Sequence, residues 1–406
     1  MTLQSTATWQ GFLRADGAKG IRNKVLVIYT VECSAFVAKK IGAAFPDAAV
    51  DVVGFTGCTD NEYAVRMLLA LIRHPNVGAV LPVGLGCEYV QAQLLAEKAA
   101  AAGKLSDWLL IQECGGTRKT VARGQAIVQT MLERLAVETP RAPMGMADLI
   151  IGAECGGSDF TSGLAGNVVV GKAFDRLVDW GGAAIFEEVA EAIGLRELLI
   201  IRGRTEQAQR ELACTYDKAL EYCKAVRQFS ISPGNFVGGL TTIEEKSMGA
   251  FAKSGSKPIE GVLKVGQNPD AKGLWLLDSI PDPHWMQFGY TNPNDNEGLM
   301  DLICSGAQVV FLVTGRGTVV GSAVAPVIKI TGNDHTYLSM SDDLDFNAGP
   351  ALTGEKTLEE LGDELLATVA AVCSGEPTQS ERLGHKEYFI PYKYQNPEIS
   401  TTRCSR

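Results

Sequence analysis

The feature that most restricts the fold is a series of continuous apolar runs that never alternate with polar residues. "KVLVIYTVECS" (24–34), "VGAVLPVGLGCE" (77–88), "DWLLIQECGG" (107–116) and "DLIIGAECGG" (148–157) share this design, and "GGAAIFEE" (181–188), "GLWLLDS" (273–279) and "QVVFLVTGRG" (308–317) follow it. Such runs suit strands buried on both faces, as in a parallel sheet. Helical patterns lie between them: "SAFVAKKIGAAF", "EYAVRMLLALIRH", "YVQAQLLAEKAAAAG" and "GQAIVQTMLERLA". Strand and helix in alternation predict an α/β fold, with a doubly wound, mainly parallel, Rossmann-like N-terminal domain and a larger α/β C-terminal domain.

The boundary is expected in "VETPRAPMG" (137–145), where two prolines and a glycine interrupt the pattern. This gives domains at 1–140 and 145–390 and an extended polar tail at 391–406. The stretch 195–226 reads as mostly helical. A chain of 406 residues is too long for a single core.

A net charge of −10 with no long run of one sign argues against nucleic acid or an anionic membrane as partner. The opening "MTLQSTATWQ" has neither a basic start nor an apolar stretch, and no run reaches the ~20 apolar residues of a membrane span. A cytoplasmic location is expected, and with it ten reduced cysteines.

In an open parallel sheet, ligands bind beyond the carboxyl ends of the strands. Cys33, Cys87, Cys114 and Cys155 each stand where an apolar run stops, and Cys58 follows another in "VDVVGFTGCTDNE". Free cysteines are commonly small core residues, and Cys214, Cys223, Cys304, Cys373 and Cys404 read that way. Glycine and polar neighbours favour a site at Cys33, Cys58, Cys87 and Cys155, and less so at Cys114. No CxxC pair occurs, so a structural zinc knot is not expected. Thiolates with a carboxylate from Glu88, Glu154 or Asp159 would suit iron, either as an ion or as a cluster held by three thiolates.

"GLTTIEEKSMGAFAKSG" (239–255) crowds Thr241, Thr242, Glu244, Glu245, Lys246 and Lys253 together. It reads either as a solvated face or as a tuned lysine base beside acids, with threonines holding substrate oxygens. Arg14, Asp16, Arg22 and Asn23, just before the first strand, could form an anion-binding lip, as could Arg118 and Arg316. Each arginine also has the ordinary reading of a solvated side chain. "TGRGTVVG" (314–321) contains GxG but not the dinucleotide fingerprint. Of the four histidines, His74 reads as a helix-end cap, while His284, His335 and His385 lack partner spacing for a zinc hydrolase.

The set "GFLRADGAKGIRN", "TVECSA", "VGLGCE", "ECGGTRKTV", "ECGGSDFTSGLAGN", "PGNFVGGLTTIEEKSMGAFAKSG", "VTGRGTVVGS" and "DDLDFNAG" resembles, in this order, the altronate/galactarate dehydratase family. Two-subunit members of that family include the large subunit of sulfolactate sulfo-lyase. The resemblance implies a lyase that eliminates water, or sulfite, from a small hydroxy acid and leaves a 2-keto acid. It implies ferrous iron, with manganese or an iron–sulfur cluster as alternatives. Carried over by position, the family's cysteine-bearing motifs match at Cys33, Cys58, Cys87 and Cys155, and Glu88 is added to them as a candidate carboxylate ligand; the roles that follow are read from the chemistry of the residues. Lys246 would be the base, Glu244 its proton partner, and Thr241 and Thr242 their companions. Arg22, Asn23, Thr117, Arg118, Ser158, Asp159, Arg316 and Gly317 would bind the substrate. The resemblance further implies a small, separately encoded, SAF-like partner subunit and an oligomer, either homo- or hetero-. The stretch 278–306 departs from the family pattern and leaves the acid open. A nicotinamide-dependent oxidoreductase and a non-catalytic scaffold subunit are the rival readings.

Overall fold

The computed structural model describes residues 7–46, 49–59, 61–226, 232–282 and 294–391. His284, Cys404 and the tail from 392 onward lie outside them. The described chain contains fifteen strands: β1 (Thr8–Leu13), β2 (Lys19–Gly20), β3 (Lys24–Tyr29), β4 (Val50–Gly54), β5 (Val77–Gly84), β6 (Leu105–Ser106), β7 (Leu109–Leu110), β8 (Arg141–Gly145), β9 (Ile150–Cys155), β10 (Ala183–Phe186), β11 (Ile259–Lys264), β12 (Gly273–Asp278), β13 (Val309–Val313), β14 (Val327–Thr331) and β15 (Phe346–Asn347). It divides into two compact units. One is formed mainly by 10–143, with 323–325 and the stretch from 388; the other is formed mainly by 144–322 and 326–387. A small three-stranded sheet has the order β2-β1-β8.

The unit built on 10–143 carries the sheet β4-β3-β5-β6, with β7 also paired to β5, and every pair is parallel. All six residues of β3 and all eight of β5 are buried, as continuous apolar runs require. The helix Glu62–Arg73 begins where the Asn61 side chain accepts from the Ala64 N–H at 2.9 Å and ends at His74, which caps it as expected. In this order the chain reverses direction across the sheet between β3 and β5, which is the topological switch point.

The unit built on 144–387 carries a seven-stranded sheet, β11-β12-β10-β9-β13-β14-β15, again wholly parallel. Its switch point falls between β9 and β13, where Cys155 pairs in register with Val313. The α/β reading with mainly parallel sheets therefore holds. One detail differs, because "DWLLIQECGG" forms only the two-residue β7. Leu110 pairs with Gly84, the last residue of β5, so nothing remains beyond it to continue the ladder. The chain turns at once into the short helix Ile111–Cys114.

Candidate active site

Cys155 ends β9, is almost fully buried, and faces the carboxylate of Glu188, which follows β10. Glu188 Oε2 accepts from the Cys155 N–H at 3.1 Å, and Glu188 Oε1 accepts from its thiol at 3.3 Å. The Glu188 backbone is left-handed, with φ 76°, and Val324 is the other such non-glycine among the described residues. A strained backbone costs of order 1–3 kcal/mol and marks a position held by its surroundings. Here the strain turns an acid onto the thiol. The ammonium of Lys253, fully buried, pairs with Glu188.

Glu191, one turn further on, accepts from Lys246 Nζ at 2.7 Å through Oε1, whereas its buried Oε2 accepts no hydrogen bond. The donor atoms of Cys155, Glu188 and Glu191 lie within 4.8 Å of one another, a grouping compatible with a metal ion. One thiolate and two carboxylates form a mixed donor set that suits a borderline divalent metal, and the unbonded Glu191 oxygen is a ready ligand.

The elements bring these groups together for physical reasons. After Cys155 the chain runs through Gly156 and Gly157 into a π-helical turn, Ser162–Gly166, a form that recurs at functional sites. The helix Ile243–Ala252 packs on that turn so closely that a Cβ on Gly249 would stand 2.8 Å from Gly163 Cα. This approach points Lys246 at the end of β9. Between the turn and the helix lies a narrow, open cleft, whose wall includes Cys155, Ser158, Asn167, Glu245 and Lys246. Asn167 is buried and its Oδ1 has no hydrogen-bond partner. An unpaired buried amide beside a cleft is set up to meet a ligand.

Charge is tightly managed around this point. Burial and the Glu187 charge, opposed by Lys253, hold the Glu154 carboxyl well above the usual carboxylate range. Burial and Glu191 also raise Asp295, whose carboxylate packs against Gly156. Burial opposes the charge of Lys246, but Glu191 outweighs it and its pKa is raised.

The other expected residues divide by position. Asp159 is buried and fully engaged: its Oδ1 accepts from the Thr161 N–H and hydroxyl, and its Oδ2 accepts from Asn333 at 3.0 Å. Ser158 lies 3.6 Å from the Cys155 sulfur through its hydroxyl. Arg316 is exposed and donates to the Gly234 carbonyl at 2.6 Å, and the Gly317 N–H donates to the Thr314 hydroxyl. Thr242 caps the helix Ile243–Ala252 by accepting from the Glu245 N–H, and Thr241 donates to the Glu245 carboxylate. Both threonines are exposed, as is Glu244; the acid in the cleft wall is Glu245.

Cys33, Cys58, Cys87 and Glu88 belong to the unit built on 10–143, whereas Cys155 belongs to the other. Burial pushes the Glu88 carboxyl up, but the Thr30 hydroxyl and the N–H groups of Gly86 and Cys87 outweigh it and lower its pKa. Arg22 and Asn23 precede β3, so they stand at the amino ends of its sheet, opposite the edge that carries the thiols. Asn23 is engaged there, accepting from Arg14 at 2.8 Å and donating to Thr139 at 3.0 Å. Thr117 and Arg118 are exposed in the first turn of the helix Thr117–Glu138. Cys223, Cys304 and Cys373 are buried as expected, but Cys214 is exposed, because it falls on an outer face of the helix Glu206–Val226.

Glu188, Glu191, Asn167 and Asp295 were not among the residues singled out from sequence. "AAIFEE" did hold a signal, since an acid pair at the end of an apolar run mirrors the cysteine at the end of β9.

Residues 146–396 match the family model described as D-galactarate/Altronate dehydratase, C-terminal, and residues 11–136 match D-galactarate dehydratase/Altronate hydrolase, second domain. The chain belongs to the D-galactarate/altronate dehydratase family. It is 31% identical to an altronate dehydratase of Bacillus subtilis, over 94% of this chain and 77% of that protein. It is 29% identical to the (2R)-sulfolactate sulfo-lyase subunit beta of Chromohalobacter salexigens, over 96% and 98%. It is 31% identical to an Escherichia coli galactarate dehydratase (L-threo-forming), over 91% and 73%. As a member of this family the chain is a lyase, not a nicotinamide oxidoreductase. No helix among its described residues is long and apolar enough to cross a membrane.

Proposed function

We propose that the chain dehydrates a small hydroxy acid: a proton leaves the carbon α to a carboxylate, the β-hydroxyl departs, and a 2-keto acid results. The observation that carries this reading is the meeting of Cys155, Glu188 and Glu191 with Lys246 beside a cleft at the switch point.

Cys155, Glu188 and Glu191 are proposed to hold a divalent cation, ferrous iron first and manganese second. Such a cation, when bound, stabilises the negative charge that builds up on an enediolate. The rest of the chemistry belongs to side chains. Lys246, kept charged by Glu191, faces developing negative charge and can give a proton to the departing hydroxyl. A base at neutral pH needs the opposite shift, so proton abstraction is assigned to Asp295, whose raised pKa brings it nearer the working range. The Asn167 amide and the Ser158 hydroxyl line the cleft and would orient substrate hydroxyls.

A second reading, loss of sulfite instead of water, is supported by the near-complete coverage of the sulfo-lyase subunit beta. That relative's name also supports a partner subunit, proposed here as small and SAF-like. Anaerobic assays of altronate, galactarate and sulfolactate, with ferrous iron and with and without a candidate small subunit, test both. Keto-acid release from a sugar acid is expected; release from sulfolactate alone would establish the second reading. Asp295→Asn should lower kcat by about 100-fold or more, and an unchanged rate would remove Asp295 as the base.

A further inference from the structure

The chemistry assigned above leaves one buried charge without a task. Lys253 is fully buried, yet Lys246 is the lysine that faces the substrate. A buried ion pair is often no better for stability than apolar packing, so its presence asks for another cause.

The two lysines are not independent. Lys246 lies in the helix Ile243–Ala252, and Lys253 is the C-cap of that helix, itself in right-handed helical backbone. Positions i and i+7 fall about two turns apart on one helix face. Opposite them stand Glu188 and Glu191, with Glu188 as the N-cap of the 3-10 turn Val189–Glu191. The four side chains therefore meet pair to pair, Lys253 with Glu188 and Lys246 with Glu191.

Each pair uses one carboxylate oxygen and spares the other. Glu188 Oε2 takes both the Lys253 ammonium and the Cys155 N–H, while Oε1 is left to the Cys155 thiol. Glu191 Oε1 accepts from Lys246, while its buried Oε2 accepts no hydrogen bond.

We propose that Lys253 and Lys246 are positioning residues that reserve one oxygen of each glutamate and so keep both as single-atom ligands of the cation. This role rests on the metal site proposed at Cys155, Glu188 and Glu191. Two glutamates ligating through both oxygens, together with the thiolate, would fill most of an octahedral shell. Single donors leave it open, as the two-histidine-one-carboxylate triad does for ferrous iron. The open positions fit a chelating α-hydroxy carboxylate, which offers a carboxylate and a hydroxyl oxygen together.

The test titrates the metal-stripped full chain with Mn2+. Electron paramagnetic resonance counts the free ion, and water-proton relaxation reports the open positions. Glycolate, an α-hydroxy acid with no β-hydroxyl to lose, is the competing ligand. Wild type should bind Mn2+ with strong relaxation, and glycolate should lower it by displacing water. Loss of an ordinary supporting partner weakens metal binding by about 10–100-fold. Lys253→Met should instead bind Mn2+ no more weakly than wild type and relax water less before glycolate is added. It should also need about 10-fold more glycolate. Lys246→Met, at the cleft wall, should behave in the same way and carries the test should Lys253→Met not fold. Weaker Mn2+ binding with unchanged relaxation per bound ion in these variants would overturn the proposal and leave the metal site standing. No Mn2+ binding by the wild type, or binding unaffected by Cys155→Ser, would remove the metal site itself and the proposal with it.

Discussion

Glu113-Cys114-Gly115-Gly116 and Glu154-Cys155-Gly156-Gly157 are near-copies in sequence and opposites in structure. The first begins inside a four-residue helix, after a strand whose partner has run out. Gly115 and Gly116, at φ 80° and 99°, then carry the chain into the helix Thr117–Glu138, while Glu113 lies exposed and Cys114 packs on the core. The second ends a six-residue strand flanked on both sides, by β10 and β13, so its residues have nowhere to go but inward. Glu154 becomes a buried acid with a raised pKa and Cys155 a partner of Glu188. Four letters do not make a site. The neighbouring strands do, because they decide whether the cysteine is brought to a switch point or turned away from the sheet.

That contrast can be broken most severely at Lys253. It is fully buried against Glu188, so Lys253→Met leaves an uncompensated carboxylate beside Cys155 and should cost about 3–5 kcal/mol. Urea unfolding measures this. A loss under 1 kcal/mol, estimated as the roughly exposed-pair range, would mean that Glu188 is not held as described.

A second substitution acts on the copy at the end of β9 alone. A Cβ on Gly156 would fall 1.9 Å from the Asp295 carboxylate, so Gly156→Ala must displace Asp295. Turnover should drop by about 100-fold, with a smaller loss in thermal stability. If Asp295 plays no part, kcat will stay at the wild-type value while stability alone falls.

The smallest effect is a pH dependence. Glu154 has its folded pKa raised above its unfolded one, so the native state binds more protons than the unfolded state. Its contribution to stability is complete below the ordinary carboxylate range and is lost as pH rises towards the elevated value, with a slope of at most about 1.4 kcal/mol per pH unit. Glu154→Gln should flatten this part of the stability–pH curve. Equal curves for wild type and Glu154→Gln would show that Glu154 is ionised.

The same contrast explains what was legible beforehand. Unbroken apolar runs such as those of β3, β5, β9 and β13 announced parallel sheets, because only strands covered on both faces tolerate them. Their ends located Cys155, Ser158 and, by composition, the segment holding Lys246. What the sequence could not supply was strand order. Nothing in "DWLLIQECGG" says that β5 ends at Gly84 and leaves its neighbour unpaired. Nor does anything in "GGAAIFEE" say that β10 lies beside β9, so that Glu188 meets Cys155 across 33 residues. Asn167 and Asp295 depend on the same unknown. Arg22 and Asn23 depend on strand direction in the same way, since residues that precede a strand stand at the amino edge of a parallel sheet, opposite its carboxyl ends.

The most direct test compares the two cysteines themselves, under anaerobic conditions with ferrous iron and whichever acid the wild type converts. Keto-acid release by Cys114→Ser should match the wild type. Release by Cys155→Ser should be slower by about 100-fold or more, with circular dichroism unchanged. A Cys155→Ser protein that turns over at the wild-type rate would contradict the placement of the active centre at the end of β9.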